Sequence, residues 1–190
     1  MYNNLIQHIL KFTPLTADEI EQINQSVSIQ KVKKKTFLLE AGKVCKSNYF
    51  VVKGCLRLYF VDRKLTEQIT QFAIENWWIT DQDSFDSRQP SQYYIQAVED
   101  TEVIYINKDA LEQLYISVPK LERYFRIIFQ RVYTAWQRRT KFLYDQTDEE
   151  RYRFFSEAFP GFMQRVPLYM IASYLGFTPQ FLSKIRAKKV

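Results

Sequence analysis

The sequence predicts an α+β fold in three successive parts: a run of short strands, one long helix, and a small helical end. Three features predict it. Between Val27 and Ile106, β-branched and aromatic residues recur in short runs broken by turn residues. After Pro119 the apolar period lengthens to that of a helix as far as Tyr144. The stretch Val166–Lys189, VPLYMIASYLGFTPQFLSKIRAKK, reads as two short helices joined by a tight turn.

Bulk composition narrows the chemistry. The chain has 190 residues, enough for one large domain or two modest ones, and at 46% hydrophobic it can build a core. Two cysteines, Cys45 and Cys55, are too few for a disulfide framework or for a four-thiolate iron–sulfur cluster, and fit a reducing cytoplasm. A single histidine, His8, argues against a histidine metal site or a Ser/His/Asp triad, so neither an enzyme nor a cofactor is expected. His8 is placed on a surface helix. No basic stretch followed by an apolar run marks a signal peptide, and no stretch approaches the length of a membrane span.

The net charge is +6, but it is unevenly spread. Residues 1–117 carry 13 Lys and Arg against 15 Asp and Glu, whereas residues 118–190 carry 14 against 6. All the excess positive charge lies in the C-terminal part, which points that part toward a polyanion.

In order, Asn4–Phe12 reads as a short helix, and Thr16-Ala17-Asp18-Glu19 is a capping box that opens a second through Ile20 and Ile23. Val27, Ile29 and Lys31 alternate with polar residues. Strands follow at Thr36–Leu39, Tyr49–Val52, Leu56–Val61, Glu67–Phe72, Gln92–Val98 and Glu102–Ile106, a spacing expected of a sandwich or barrel. Lys33-Lys34-Lys35 reads as a solvated turn or edge protection. A short helix, Ala110–Tyr115, precedes the long one.

In that long helix, Leu121, Phe125, Ile128, Val132 and Ala135 (or Trp136) fall at steps of four and three, with Arg139 and Phe142 continuing the seam. Such a seam serves either packing on the chain's own domain or a two-stranded dimer contact, and a homodimer is expected. Thr147-Asp148-Glu149-Glu150 is a second capping box, for a helix ended by Pro160-Gly161. Phe154, Phe155, Phe159 and Phe162 are read as the core of the C-terminal domain.

In the last stretch, Gly176 marks the turn, Thr178 an N-cap and Pro179 the first helical position. The pattern is that of a DNA-reading helix-turn-helix, the bland alternative being an αα-hairpin closing a globular core. Phe181, Leu182 and Ile185 can pack inward. Gln180 and Lys184, with Ser183 as a weaker third, are candidates for base edges, and Thr178, Arg186, Lys188 and Lys189 for phosphates. Double-stranded DNA is the expected partner, with RNA polymerase as a further one. The chain ends before a complete wing, so a shortened wing is expected. That truncation supports a second reading, a ligand-binding or protein-interaction module that has lost DNA binding.

This order of parts resembles the Crp/Fnr family of bacterial transcription regulators over nearly the whole chain, and the Thr-Pro start of the second helix resembles small Bacteroidetes members. Leu38–Asp62, LLEAGKVCKSNYFVVKGCLRLYFVD, is similar to the family's strand–Gly–strand–Gly–strand core, with Gly42 and Gly54 at turns. The resemblance implies an N-terminal double-stranded β-helix (jelly-roll) of cyclic-nucleotide-binding type over 1–117. It further implies a connecting dimer helix over 118–145 and a winged-helix-like helix-turn-helix domain over 146–190.

The family's phosphate cassette, a Gly-Glu pair and a later Arg-Ser/Thr pair, is altered. Thr80-Asp81 and Ser91-Gln92 stand at those places, and Arg88 lies three positions early. A buried phosphate would lack its cation, so cyclic AMP is not expected as effector. Trp77, Trp78, Asp81, Arg88, Tyr93 and Tyr94 remain as a candidate sensor pocket, either filled core or a site for an apolar or aromatic ligand. The family's haem branch uses a sensor-domain histidine, and His8 is misplaced for it. The effector is not specified.

Overall fold

The computed structural model describes residues 3–178, 180–182 and 184. The elements are α1 (Asn3–Leu10), α2 (Ala17–Ser26), β1 (Ser28–Val32), β2 (Phe37–Leu39), β3 (Ser47–Lys53), β4 (Leu56–Val61), β5 (Glu67–Ala73) and β6 (Trp78–Ile79). Then come α3 (Gln82–Ser87), β7 (Tyr94–Ala97), β8 (Thr101–Asn107), α4 (Lys108–Ser117), α5 (Lys120–Asp145), α6 (Asp148–Ala158), α7 (Pro160–Arg165) and α8 (Leu168–Leu175). The chain divides into two compact units. One holds the residues up to Phe60 with Gln71–Gln130, the other Val61–Thr70 with the chain from Arg131 onward.

The first unit is a β-roll of two four-stranded sheets, ordered β1-β8-β3-β6 and β2-β7-β4-β5. Alternation along the strands sends Val51 and Val103 from one sheet, and Leu56, Leu58, Ile95 and Ala97 from the other, into a single buried cluster. β1 departs from the expected alternation. It is an edge strand whose residues are exposed except Val32, and Ile29 faces solvent at 48%. Two capped helix starts follow the sequence. Thr16 Oγ1 accepts from Glu19 N–H while the Glu19 carboxylate accepts from Thr16 N–H, and Asn107 Oδ1 caps α4 through Ala110 N–H at 2.8 Å.

The hairpin between β3 and β4 closes on Gly54, at φ +103°. Its missing side chain lets the turn lie on the β8 start, because a Cβ there would sit 2.8 Å from both Asp100 O and Thr101 Cα. β6 and α3 were not foreseen from the sequence. β6 is only two residues long, and α3 is flanked by Asp81 at its N-cap and Arg88 at its C-cap, whose φ of 60° is left-handed.

His8 is not a surface group. On α1 it is half-buried between Phe12, Phe50 and Tyr124, and its Nδ1 lies 2.7 Å from the Tyr124 hydroxyl. That hydroxyl also accepts from Trp78 Nε1–H at 2.8 Å, so α1, β6 and α5 meet at one phenol. Tyr124 is fully buried, and burial holds its phenol well above the ordinary value, against the opposing pull of the Trp78 bond. Tyr124→Phe would leave the buried indole N–H without its partner. The expected loss is about 1–3 kcal/mol, read as a lower urea midpoint at unchanged slope.

In the second unit, Thr147 and Glu150 close the predicted capping box at the start of α6. Arg151, buried beside it, donates to the Leu143 and Gln146 carbonyls at 3.0 Å each and pairs with Asp148. α6 ends at Ala158, just before Pro160-Gly161 as the sequence predicts, and Pro160 then opens a further short helix, α7, where proline suits the first turn. The core of this unit is Tyr152, Val166, Met170, Ile171, Ala172, Leu175 and Leu182. Of the four predicted phenylalanines, Phe155 packs against Phe159, Phe162 and Tyr174, whereas Phe154 (52%) and Phe159 (48%) remain largely exposed.

Candidate nucleic-acid interface and sensor site

α8 begins after Pro167 and ends at Gly176, whose φ of +83° forms a left-handed cap with its N–H directed at the Ala172 and Ser173 carbonyls. Thr178 starts the next helix. Its Oγ1 accepts from Phe181 N–H at 3.2 Å, the N-cap bond to the third helical position, and its carbonyl accepts from Leu182 N–H at 3.1 Å. Leu182 is buried at 1% and locks this helix onto the unit's core, while the Phe177 and Phe181 rings meet edge to face.

Gln180 and Lys184 are exposed and one helical turn apart, so they share a face. Thr178 is exposed as well, although its hydroxyl is already engaged as the cap acceptor. Ser183, Ile185, Arg186, Lys188 and Lys189, and with them the shortened wing, lie outside the described residues.

Along α5 the predicted seam divides. Leu121 and Phe125 are buried in the first unit's own core and Ile128 packs against it, together with Tyr124, which the seam reading passed over. Leu121 and Phe125 are therefore covered within the chain, while Ile128 stays partly exposed. Beyond them Phe129 (42%), Val132 (44%), Tyr133 (60%) and Trp136 (57%) stand exposed at helical spacing, with Ala135 exposed nearby.

The six candidate pocket residues are not brought together. Trp77 is exposed, whereas Trp78 points into the core against Phe50 and Phe125. Arg88 turns outward and pairs with Asp109 at 2.5 Å. Tyr94 stacks on Tyr59 with centroids 5.0 Å apart, and Tyr93 meets Phe60 edge to face. Only Asp81 and Tyr93 stay at one place, joined through Ser91.

That place is a closed polar knot. Ser91 Oγ donates to Asp81 Oδ2 at 2.6 Å and accepts from Tyr93 N–H at 2.9 Å. Ser84 Oγ accepts from Cys45 N–H and donates to the Gln89 carbonyl. Asp81, Ser84 and Ser91 are all buried. Burial, with the Asp81 and Asp83 carboxylates adding to it, raises the Tyr93 phenol. Burial likewise raises the Cys45 thiol, which keeps it protonated and unreactive. Sequence reasoning also missed Arg57. Buried in β4, it donates from Nε and Nη2 to Gln96 Oε1 at 3.0 and 2.6 Å and lies 4.1 Å from the Tyr59 ring centroid. Its place in an otherwise apolar strand was the available signal.

Comparison with known proteins fits this geometry. Residues 29–117 match the family model of the cyclic nucleotide-binding domain. Among solved structures, FixK2 from Bradyrhizobium japonicum is 17% identical with a TM-score of 0.73, over 85% of this chain and 83% of that one. The c-di-GMP responsive global regulator CLP of Xanthomonas campestris is 13% identical with a TM-score of 0.68, over 91% of each chain. A protein from Eubacterium rectale assigned to the crp/fnr family of transcriptional regulators is 16% identical with a TM-score of 0.71, over 94% of this chain and 87% of that one. No curated protein sequence matches the chain. The class is thus a β-roll of cyclic nucleotide-binding type followed by a long helix and further helices. More narrowly, residues 29–117 are similar to the cyclic nucleotide-binding domain, and the chain as a whole shares its fold with solved Crp/Fnr regulators. No helix among the described residues is long and apolar enough to cross a membrane.

Proposed function

We propose that this chain is a sequence-specific, DNA-binding transcription regulator of Crp/Fnr type that acts in the cytoplasm as a homodimer on a near-palindromic site. The observation that carries the reading is the helix capped by Thr178, which presents Gln180 and Lys184 on one exposed face of a basic unit. Gln can pair bidentately with adenine and Lys can donate to guanine in the major groove, while Thr178, Arg186, Lys188 and Lys189 hold phosphates. In this reading residues 1–117 are the sensor, 118–145 the dimer helix and 146–190 the DNA-binding domain, and RNA polymerase is met at the promoter.

Cyclic AMP is not the effector. At the cassette position the Asp81 carboxylate and Ser91 hydroxyl satisfy each other, Gln92 is exposed, and Arg88 is engaged with Asp109. A phosphate placed there would meet a buried carboxylate instead of a guanidinium.

Selection of bound duplexes from a random pool, with and without cell extract, tests the reading, since it reports motif, symmetry and effector dependence together. A near-palindromic motif is expected, and failure to enrich any motif overturns DNA binding. Gln180→Ala should relax preference at one position per half-site at a cost of about 1–3 kcal/mol; an unchanged motif from that variant removes Gln180 as a base reader.

A further inference from the structure

The second unit includes the tip of the β4–β5 hairpin, Val61–Thr70, together with the helices that lead to the recognition helix. β5 ends its sheet, so among the described residues one of its edges has no neighbouring strand. Along a strand, the carbonyl of one residue and the N–H two residues later point to the same edge. Glu67 O and Ile69 N–H are such a pair, and the Ser173 hydroxyl of α8 serves both. It donates to Glu67 O at 2.7 Å and accepts from Ile69 N–H at 3.0 Å, in the place a further strand would take. Arg139 of α5 completes the clamp. Its Nη2 donates to Tyr174 O at 2.7 Å and reaches Ile69 O at 3.4 Å, and its guanidinium lies 4.5 Å from the Tyr174 ring centroid.

Arg139 is held on carbonyls and a ring face, and its Nε is buried with no hydrogen-bond partner among the described residues. Burial pushes its pKa down, the sign of a charge that the closed arrangement disfavours. A guanidinium whose Nε–H is buried without a partner costs free energy that solvent or a phosphate would return. The Ser173 bonds favour closure, and the Arg139 site opposes it. Such a balance suits a contact that opens.

We propose that Ser173 and Arg139 form an autoinhibitory latch that holds α8, and the recognition helix starting two residues after Gly176, against the β5 edge until DNA is engaged. This rests on the DNA-binding reading above. Opening returns the Glu67 and Ile69 groups to water and exposes Arg139 to the phosphate backbone, so a polyanion favours the open state.

The test uses the full-length protein and a duplex carrying the selected motif. Ser173→Ala should bind it about tenfold more tightly by fluorescence anisotropy, and Ser173→Thr, which keeps the hydroxyl, should bind like the parent. By NMR hydrogen exchange, the Ile69 amide should exchange faster in Ser173→Ala than in the parent, and faster in the parent once saturated with duplex. If the parent binds DNA but Ser173→Ala binds no tighter, or if Ile69 stays equally protected in the complex, the latch falls and DNA binding stands. If neither protein binds any duplex, both fall.

Discussion

Gly54→Ala destabilises the β-roll by about 3 kcal/mol or more, one of the largest single-residue effects expected in this chain. Two costs add. The φ of +103° lies where an alanine Cβ is strained, worth about 1–3 kcal/mol. A Cβ would also sit 2.5 Å from Thr101 Oγ1 and 2.8 Å from Asp100 O and Thr101 Cα. Thr101 Oγ1 cannot simply swing aside, because it accepts from Cys55 N–H and donates to the Glu99 carbonyl. The backbone atoms can yield only by moving the start of β8, which pairs with both β1 and β3. Urea or thermal unfolding of the purified variant measures the loss, and a loss under 1 kcal/mol would show that the turn can relax. Gly176→Ala is the milder comparison, since it shares the left-handed strain (φ +83°) but among the described residues its Cβ would meet only a side-chain atom, Leu143 Cδ2, at 3.1 Å.

Much of the fold was legible because local rules act within a few residues. Both Thr-x-x-Glu boxes cap their helices, Leu56–Val61 is a strand to the residue, and Gly176 caps α8 in the left-handed conformation. What escaped depends on distance in sequence. β6 is two residues long and exists because β3 pairs with it, so no period could announce it. Tyr124 falls off the four-three seam, yet it is the fully buried phenol on which α1 and β6 converge. The missing cassette arginine could be read from Ser91-Gln92, but the bond that closes Ser91 onto Asp81 joins residues ten apart across a loop and a helix. Arg57 was passed over because an arginine in a strand ordinarily marks a solvent face, whereas here Gln96 and Tyr59 receive it.

The second large effect concerns assembly. If the homodimer proposed above forms through this helix, Val132→Asp should leave the protein monomeric at micromolar concentration where the parent is dimeric, as read by sedimentation equilibrium. The seam residues Leu121 and Phe125 are already buried in the first unit's core, and Ile128 is partly covered by it. Phe129, Val132, Tyr133 and Trp136 remain, four large apolar side chains with more than two-fifths of their surface in water along two turns of one helix. Isolated exposed apolar residues are ordinary, but a contiguous stripe flanked by Arg126, Arg131 and Arg138 is the pattern of a surface meant to be covered. A two-fold interface sets each residue close to its own copy, so one substitution acts twice. Aspartate at this seam would bring two carboxylates together in an apolar contact, a cost of several kcal/mol against association. At 44% exposure in the single chain, the same carboxylate stays hydrated in the monomer, and the fold should tolerate it. Loss of the dimer should also remove binding to a two-half-site duplex while leaving weak binding to each half, because spacing the recognition helices is the work assigned to this helix. A Val132→Asp variant that still sediments as a dimer would place the interface elsewhere and return the exposed stripe of α5 to the ordinary surface.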